Sequence, residues 1–215
     1  MIEKISLKHA EHKIIKSTFK DGLWDILIGS FFLQFAIAPL LSGQFGDFWS
    51  SAIFLPFWAL VFIFIRLIRK FVILPRIGIV KFGSFRKRKI TKLTIVMLFL
   101  NIIVFCIGIF FLFKVYSVPG WIHSAIFGFV ILIMSSIAAH FLVFTRLFVY
   151  GMLFFLSLVT GESLYLFFKI PHHAFPFTFG VSASIIIITG LVLFLRFLKN
   201  HPIPIKGSVS GEEME

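Results

Sequence analysis

Two acidic residues, Asp25 and Glu162, each lie inside a long apolar stretch of this sequence. Ionisable side chains are costly inside a membrane, and they commonly mark proton or ion pathways or paired helix contacts. Asp25 follows Gly22 closely, near a segment start where the helix dipole favours negative charge. It shares a helix face with Gly29 and Ala36, which predicts close packing on a neighbour. We expect it either to be structural or to pair inside a bundle. The expected partners are Arg66, Arg69 and His140.

Glu162 lies deeper, about fourteen residues or roughly 21 Å into its segment. Thr160, Gly161 and Ser163 surround it and would permit a bend in the helix. Irregular helices at membrane depth line cavities or are buried in protein. The carboxyl group therefore either lines a polar cavity or locks two helices together, and both interpretations stay open. Two further polar groups in apolar segments, Asn101 and His140, are more typical of helix-helix hydrogen bonds than of a proton relay.

His123, His172 and His173 are expected on the same side of the membrane as Glu162. Imidazole and carboxylate groups can bind zinc, but no His-x-x-x-His or His-Glu-x-x-His spacing occurs. These histidines are weak metal candidates, and we predict no metal and no cofactor. The sequence also lacks a phosphate-binding Gly-rich loop and a Gly-x-Ser-x-Gly motif, and it has one cysteine. We therefore predict no catalytic residues.

The composition restricts the class of protein that must position these groups. Of the 215 residues, 59% are hydrophobic and 14% are charged. A soluble domain of this size cannot bury so much apolar surface, so a soluble monomer is excluded. The net charge of +12 does not indicate nucleic-acid binding, because the basic residues cluster in short links between apolar segments. The sequence predicts a polytopic membrane protein.

Six apolar segments approach the roughly 20 residues that a helix needs to cross a bilayer. They are Gly22–Leu41, Phe48–Ile65, Leu93–Val115, Trp121–Phe144, Phe148–Phe168 and Phe177–Phe197. We expect an all-α membrane protein, a bundle of six transmembrane helices with an N-terminal interfacial helix and a short basic cytoplasmic hairpin. A short loop at Ser42–Asp47 and a kink at Pro56 are also predicted. Trp24 and Tyr150 are expected to anchor the inner membrane boundary.

The distribution of charge predicts the topology. If both termini are cytoplasmic, nineteen of the 21 Lys and Arg residues lie on the cytoplasmic side, as in most membrane proteins. We expect a cytoplasmic amphipathic segment at 1–21, a membrane domain at 22–198 that contains a basic link at 66–92, and a flexible tail at 199–215. We expect a multi-pass protein of the plasma membrane.

The basic link suggests a partner as well as an orientation. Its densest run of charge is a candidate surface for anionic lipid headgroups. That run consists of Arg86, Lys87, Arg88 and Lys89. The expected partners are the lipid bilayer, with anionic lipids at the cytoplasmic face, and a second copy of the chain or another membrane protein.

Three short segments of the sequence resemble segments of known proteins. They are Asp-Gly-Leu-Trp-Asp at 21–25, Pro-Arg-Ile-Gly-Ile-Val-Lys-Phe at 75–82 and Pro-Phe-Thr-Phe-Gly at 176–180. They resemble a group of uncharacterised prokaryotic polytopic integral membrane proteins that have Asp-Gly-Leu-x-Asp and Pro-Arg-x-Gly-x-Val-Lys motifs. No activity is assigned to that group, so the resemblance implies a plasma-membrane location and no chemistry.

Three functions are compatible with these features. The first is a small transporter, channel or membrane-sensing subunit in which Asp25 or Glu162 lines a polar cavity. The second is a structural or accessory protein whose basic link binds anionic lipid or a partner. The third and weakest is a membrane-embedded enzyme that uses Glu162 and nearby histidines. Solvent access to Glu162 separates them, because transport requires a water-filled path and an accessory role does not.

Overall fold

The structure is a computed structural model that describes residue 19 and residues 21–77, 90–103, 105, 120–170 and 174–202. Every regular element in these ranges is helical, so the predicted all-α membrane bundle is confirmed. The helices are α1 (Leu23–Ala52), α2 (Phe54–Ile68), α3 (Leu74–Ile77), α4 (Ile90–Ile103), α5 (Gly120–Leu142), α6 (Thr145–Phe168) and α7 (Phe175–Asn200). A π-helical turn at Arg69–Ile73 joins α2 to α3.

Five stretches are long and apolar enough to cross a membrane. They are Leu23–Gly46, Phe48–Arg76, Trp121–Leu142, Thr145–Phe168 and Phe175–Asn200. The shorter apolar helix α4 begins at Ile90 and overlaps the first part of the third predicted segment, which starts at Leu93. The chain is therefore a multi-pass membrane protein by the length and composition of its helices.

Two details of the first helical hairpin differ from the prediction. The connection expected at Ser42–Asp47 lies where it was predicted but is shorter, because helix continues up to Gly46 (φ 77°, ψ 164°), where the chain turns. This conformation is open to glycine without strain, so one residue replaces a loop. The kink expected from Pro56 appears as a break at Ile53, in the turn before the proline, because Pro56 has no N–H to donate to the Ala52 carbonyl oxygen.

The second predicted segment extends well past its predicted end. Helical structure continues from α2 through the π-helical turn to Ile77, so Arg66, Arg69 and Arg76 lie on helix rather than in a loop. The apolar residues between these arginines continue the membrane segment. A long arginine side chain near the end of a membrane helix can still extend its charged group to water. The predicted hairpin lies outside the described residues except for Ile77, which ends α3.

The helices pack in the lateral order α2, α1, α7, α6, α5. Phenylalanine rings form the centre, where Phe154 contacts Phe179 at a centroid distance of 5.1 Å and Phe32 at 5.5 Å. All three rings are buried. In contrast, none of the described residues of α4 is buried. The core that can position a site is thus built by α1, α6 and α7.

The small-residue face predicted for α1 does pack closely on a neighbour, which is α7. A Cβ atom at Gly29 would lie 2.5 Å from Cγ1 of Ile187. From the opposite side, a Cβ atom at Gly190 would lie 2.9 Å from the backbone nitrogen of Ile26. Glycine on both helices therefore lets the two backbones approach, as is common between membrane helices.

We predict that Gly190→Ala destabilises the protein by about 1–3 kcal/mol, because the added methyl group overlaps the backbone of α1. Gly180→Ala is the matched control on the same helix, since its Cβ atom would meet only Ala36, at 4.0 Å. Thermal unfolding of both variants in one detergent measures the difference. Equal melting temperatures would contradict the close packing of α1 on α7.

Candidate functional site

The N-terminal end of α1 is capped by the two residues that precede it. The Asp21 carboxylate accepts a hydrogen bond from the Leu23 N–H at 3.1 Å, which satisfies one free donor of the first helical turn. Gly22 has a φ of 77°, and a Cβ atom there would collide with the carbonyl oxygen of Gly190. Helix α1 therefore begins directly after Gly22, and Asp25 lies in its first turn.

Asp25 is fully buried, and both of its carboxylate oxygens have partners. The Tyr150 hydroxyl donates to Oδ1 at 2.5 Å, and Arg146 donates from Nη1 to Oδ2 at 2.7 Å. The other terminal nitrogen of Arg146 donates to the Phe19 carbonyl oxygen. One guanidinium group thus connects α6, α1 and the chain that precedes α1. We call Asp25, Arg146 and Tyr150 the Asp25 triad.

The start of α6 positions the two partners of Asp25. Arg146 and Tyr150 are four residues apart in a helix, so they share one face. The preceding Phe144 is buried, stacks on Phe19 at 4.9 Å, and lies under the Arg146 guanidinium at 5.2 Å. Aromatic packing thus holds the arginine over the carboxylate, and a cation-π contact adds to its charge pairing.

The expected partners of Asp25 were wrong. Arg66, Arg69 and His140 do not bond it, and Arg146 and Tyr150 do. Tyr150 also does not act as a boundary anchor, because it is buried in the core. One feature of the sequence could have indicated these partners: Arg146 and Tyr150 are four residues apart at the start of one apolar segment and so share a helix face.

Asp21 lies beside the triad and is buried, with Arg69 as its basic neighbour at 4.0 Å. Burial raises the pKa of the Asp21 carboxyl above its ordinary value of 3.8. The hydrogen bond from Leu23 and the charge of Arg69 oppose this rise, and the nearby charge of Asp25 adds to it. The folded protein therefore favours a neutral Asp21 more than the unfolded chain does.

Glu162 is buried on α6, at the opposite end of that helix from Arg146. Helices α5 and α6 run antiparallel, and a Cβ atom at Gly128 would lie 3.3 Å from a methyl group of Leu158. His123 lies five residues before Gly128, and Glu162 lies four residues after Leu158. This register brings His123 and Glu162 to the same level of the bundle.

A second polar contact lies between α6 and α7, one turn from Glu162. The hydroxyl groups of Ser157 and Ser182 are 2.8 Å apart, and both residues are buried. Ser157 also donates to the carbonyl oxygen of Leu153 in its own helix at 2.8 Å. These hydroxyl groups fix the spacing of the two helices below Glu162.

The remaining predicted residues are dispersed. The Asn101 amide donates to the Met97 carbonyl oxygen at 2.8 Å within α4, and His140 is exposed with its ring against Phe141. The hydrogen bonds expected from these two residues to other helices stay predictions. Four basic residues and two histidines lie outside the described residues. These are Arg86, Lys87, Arg88, Lys89, His172 and His173.

No group of three His, Cys, Asp or Glu side chains suited to a metal ion occurs in the ranges that the structure describes. Two of the clefts between described residues are lined by residues of α1 and α2 and by residues of α4 and Phe105. Asp25 and Glu162 line neither of these two. Asp25 is instead part of a contact between α1 and α6.

The arrangement defines a multi-pass membrane protein with a buried charged contact between its first and sixth helices. Comparison with models of protein families, with curated proteins and with solved structures finds no match to this chain. The resemblance carried by the three sequence strings stays a prediction.

We predict that Asp25→Asn destabilises the protein by about 2–3 kcal/mol, since it leaves the partly exposed Arg146 without its counter-charge. Tyr150→Phe should cost about 1 kcal/mol for one hydrogen bond. Arg146→Gln should cost less in the Asp25→Asn background than in the wild type, because the ion pair is already broken there and only the contacts of Arg146 with Phe19 and Phe144 remain to be lost. Thermal unfolding measures all variants, with the exposed Arg196→Gln as the neutral control. Strictly additive losses would argue against a coupled pair.

We also predict that Asp21→Asn reduces the dependence of stability on pH. A raised pKa in the folded state means that this residue's contribution is present at low pH and is lost as pH rises through its folded-state pKa. Asparagine is neutral and still caps α1, so the variant should lose stability less steeply above about pH 4. Melting curves of both proteins from acidic to neutral pH provide the measurement, and parallel curves would contradict the effect of burial.

Proposed function

We propose that this protein is a structural or accessory component of the plasma membrane, and that its basic end binds anionic lipid or a membrane partner. The basic end is the end of the bundle that carries Arg66, Arg69, Arg146 and Arg196. The observation that carries the proposal is Asp25, which is fully buried with both oxygens occupied.

The bonding of Asp25 supports a structural role for the most deeply buried charge. A carboxylate that carries protons or ions must exchange its partners with solvent or substrate during each cycle. Asp25 instead receives a tyrosine hydroxyl and an arginine whose other nitrogen is bonded to the backbone of Phe19. Breaking these bonds would remove the polar contact between α1 and α6, so the site is suited to holding these helices together.

The positions of the basic residues support the proposal that several helix ends lie on the same side of the membrane. Arg69 at the end of α2 lies beside Asp21, before α1. Arg76 donates to the carbonyl oxygens of Leu198 and His201 at 2.9 and 3.1 Å, at the end of α7. Lys and Arg are enriched on cytoplasmic faces, so we propose that this end is cytoplasmic and that both termini lie there.

Buried polar groups around Glu162 favour transport as a second candidate. Glu162, Ser157 and Ser182 are all buried on α6 and α7, and His123 lies at the level of the carboxyl group. A path through these residues would make the protein a small transporter or channel. A membrane-embedded enzyme is the weakest alternative, since it needs a substrate pocket beside Glu162.

Proton flux into proteoliposomes separates the two candidates. Vesicles with a trapped pH-sensitive dye are given a membrane potential, and internal pH is followed for the wild type, Glu162→Gln and Thr160→Val. Thr160 is a matched control, since it is exposed and bonds only carbonyl oxygens of its own helix. We expect all three to match protein-free vesicles. Flux in the wild type that Glu162→Gln abolishes and Thr160→Val keeps would contradict the accessory role.

A further inference from the structure

A cleft of about 580 Å³ opens between the start of α1 and the end of α2. Its apolar lining comes from Leu23 and Leu27 on α1 and from Phe62 and Ile65 on α2. Its remaining lining residues are Trp24, Arg66 and Arg69. The volume is within the usual range of sites for small molecules, which are mostly apolar with a few placed polar groups.

The cleft has a polar end and an apolar end. The Trp58 indole donates to the Gln34 side-chain oxygen at 2.7 Å, which sets the register of the antiparallel helices α1 and α2. From that contact towards the basic end, Leu27 and Phe62 come first, and Arg66 and Arg69 come last. The apolar part thus faces the middle of the bundle and the arginines lie at its basic end. This is the polarity of a lipid molecule in one leaflet.

The arginines of the cleft retain positive charge for a ligand. Arg146 is neutralised by Asp25, whereas the nearest acid to Arg69 is Asp21 at 4.0 Å. Arg66 forms no ion pair with any of the described residues. Two guanidinium groups three residues apart on a helix can share one phosphate, which arginine binds through paired hydrogen bonds.

We propose that this cleft binds one anionic phospholipid, with its phosphate on Arg66 and Arg69 and an acyl chain along Leu27 and Phe62. The proposal rests on the proposed lipid-binding role and assigns it a site separate from Arg86–Lys89. A zwitterionic lipid carries the same phosphate, but its cationic headgroup is repelled by the two arginines. The site therefore prefers anionic over zwitterionic lipid.

The test uses the full chain in phosphatidylcholine bilayers with spin-labelled phosphatidylglycerol or spin-labelled phosphatidylcholine. Electron paramagnetic resonance gives the protein-restricted fraction of each label and hence the preference for the anionic lipid. The variants are Arg66→Gln with Arg69→Gln, the steric variant Leu27→Trp, and Arg196→Gln with Lys199→Gln. The last pair is the matched control, because it removes two exposed charges at the same end outside the cleft.

We expect the wild type to prefer phosphatidylglycerol, and the cleft arginine pair to lower that preference on the order of tenfold. Leu27→Trp should lower it with all charges intact, and the control pair should leave most of it. Equal losses in the cleft and control pairs would overturn the site, because general surface charge would then explain the preference.

A fourth variant, neutral at all of Arg86–Lys89, separates failure of the site from failure of the proposed function. If that variant alone loses the preference, the cleft is overturned and lipid binding by the basic link stands. If the wild type shows no preference for phosphatidylglycerol, both the cleft and the lipid-binding role fail. If the arginine pair does not fold, Leu27→Trp decides, and its unchanged preference overturns the cleft.

Discussion

The buried charge of Asp25 is the constraint on which the arrangement of the helices depends. A carboxylate in an apolar core is unfavourable unless its oxygens are paired, and here two residues of α6 supply both partners. These bonds require the start of α6 to lie against the start of α1, and the Arg146 bond to the Phe19 carbonyl oxygen adds the chain before α1. A single acidic residue thereby determines which helix ends meet at the basic end.

The close contact of α1 with α7 makes this geometry attainable. Gly29 and Gly190 remove side chains where the two helices cross, and Gly22 lets the chain enter α1 beside the end of α7. Because α1 packs on α7, the face of α1 that carries Asp25 contacts α6 rather than lipid. Packing and charge pairing therefore support each other at this end of the bundle.

The sequence predicted the class of fold well, because length and hydropathy decide whether a helix can cross a bilayer. It also predicted that Asp25 and Gly29 share a packed face. It did not predict the partner of Asp25, because Arg146 follows a break between two apolar segments and resembles a loop residue. The loop predicted at Ser42–Asp47 contains the observed turn, but the sequence did not show that helix continues up to Gly46 and that this one residue makes the turn. Contacts between distant segments depend on helix rotation, which hydropathy does not specify.

The distance between the Asp25 carboxyl carbon and the terminal nitrogens of Arg146 tests the central claim most directly. Carbon-nitrogen dipolar recoupling by solid-state NMR, on protein labelled at aspartate and arginine in bilayers, measures it, with Arg146→Gln assigning the signal. Direct bonding, as in the 2.7 Å contact, predicts strong recoupling and a carboxyl shift insensitive to buffer pH in the neutral range. Absent recoupling, together with a carboxyl shift that follows the buffer, would show that water reaches Asp25 and would contradict the account.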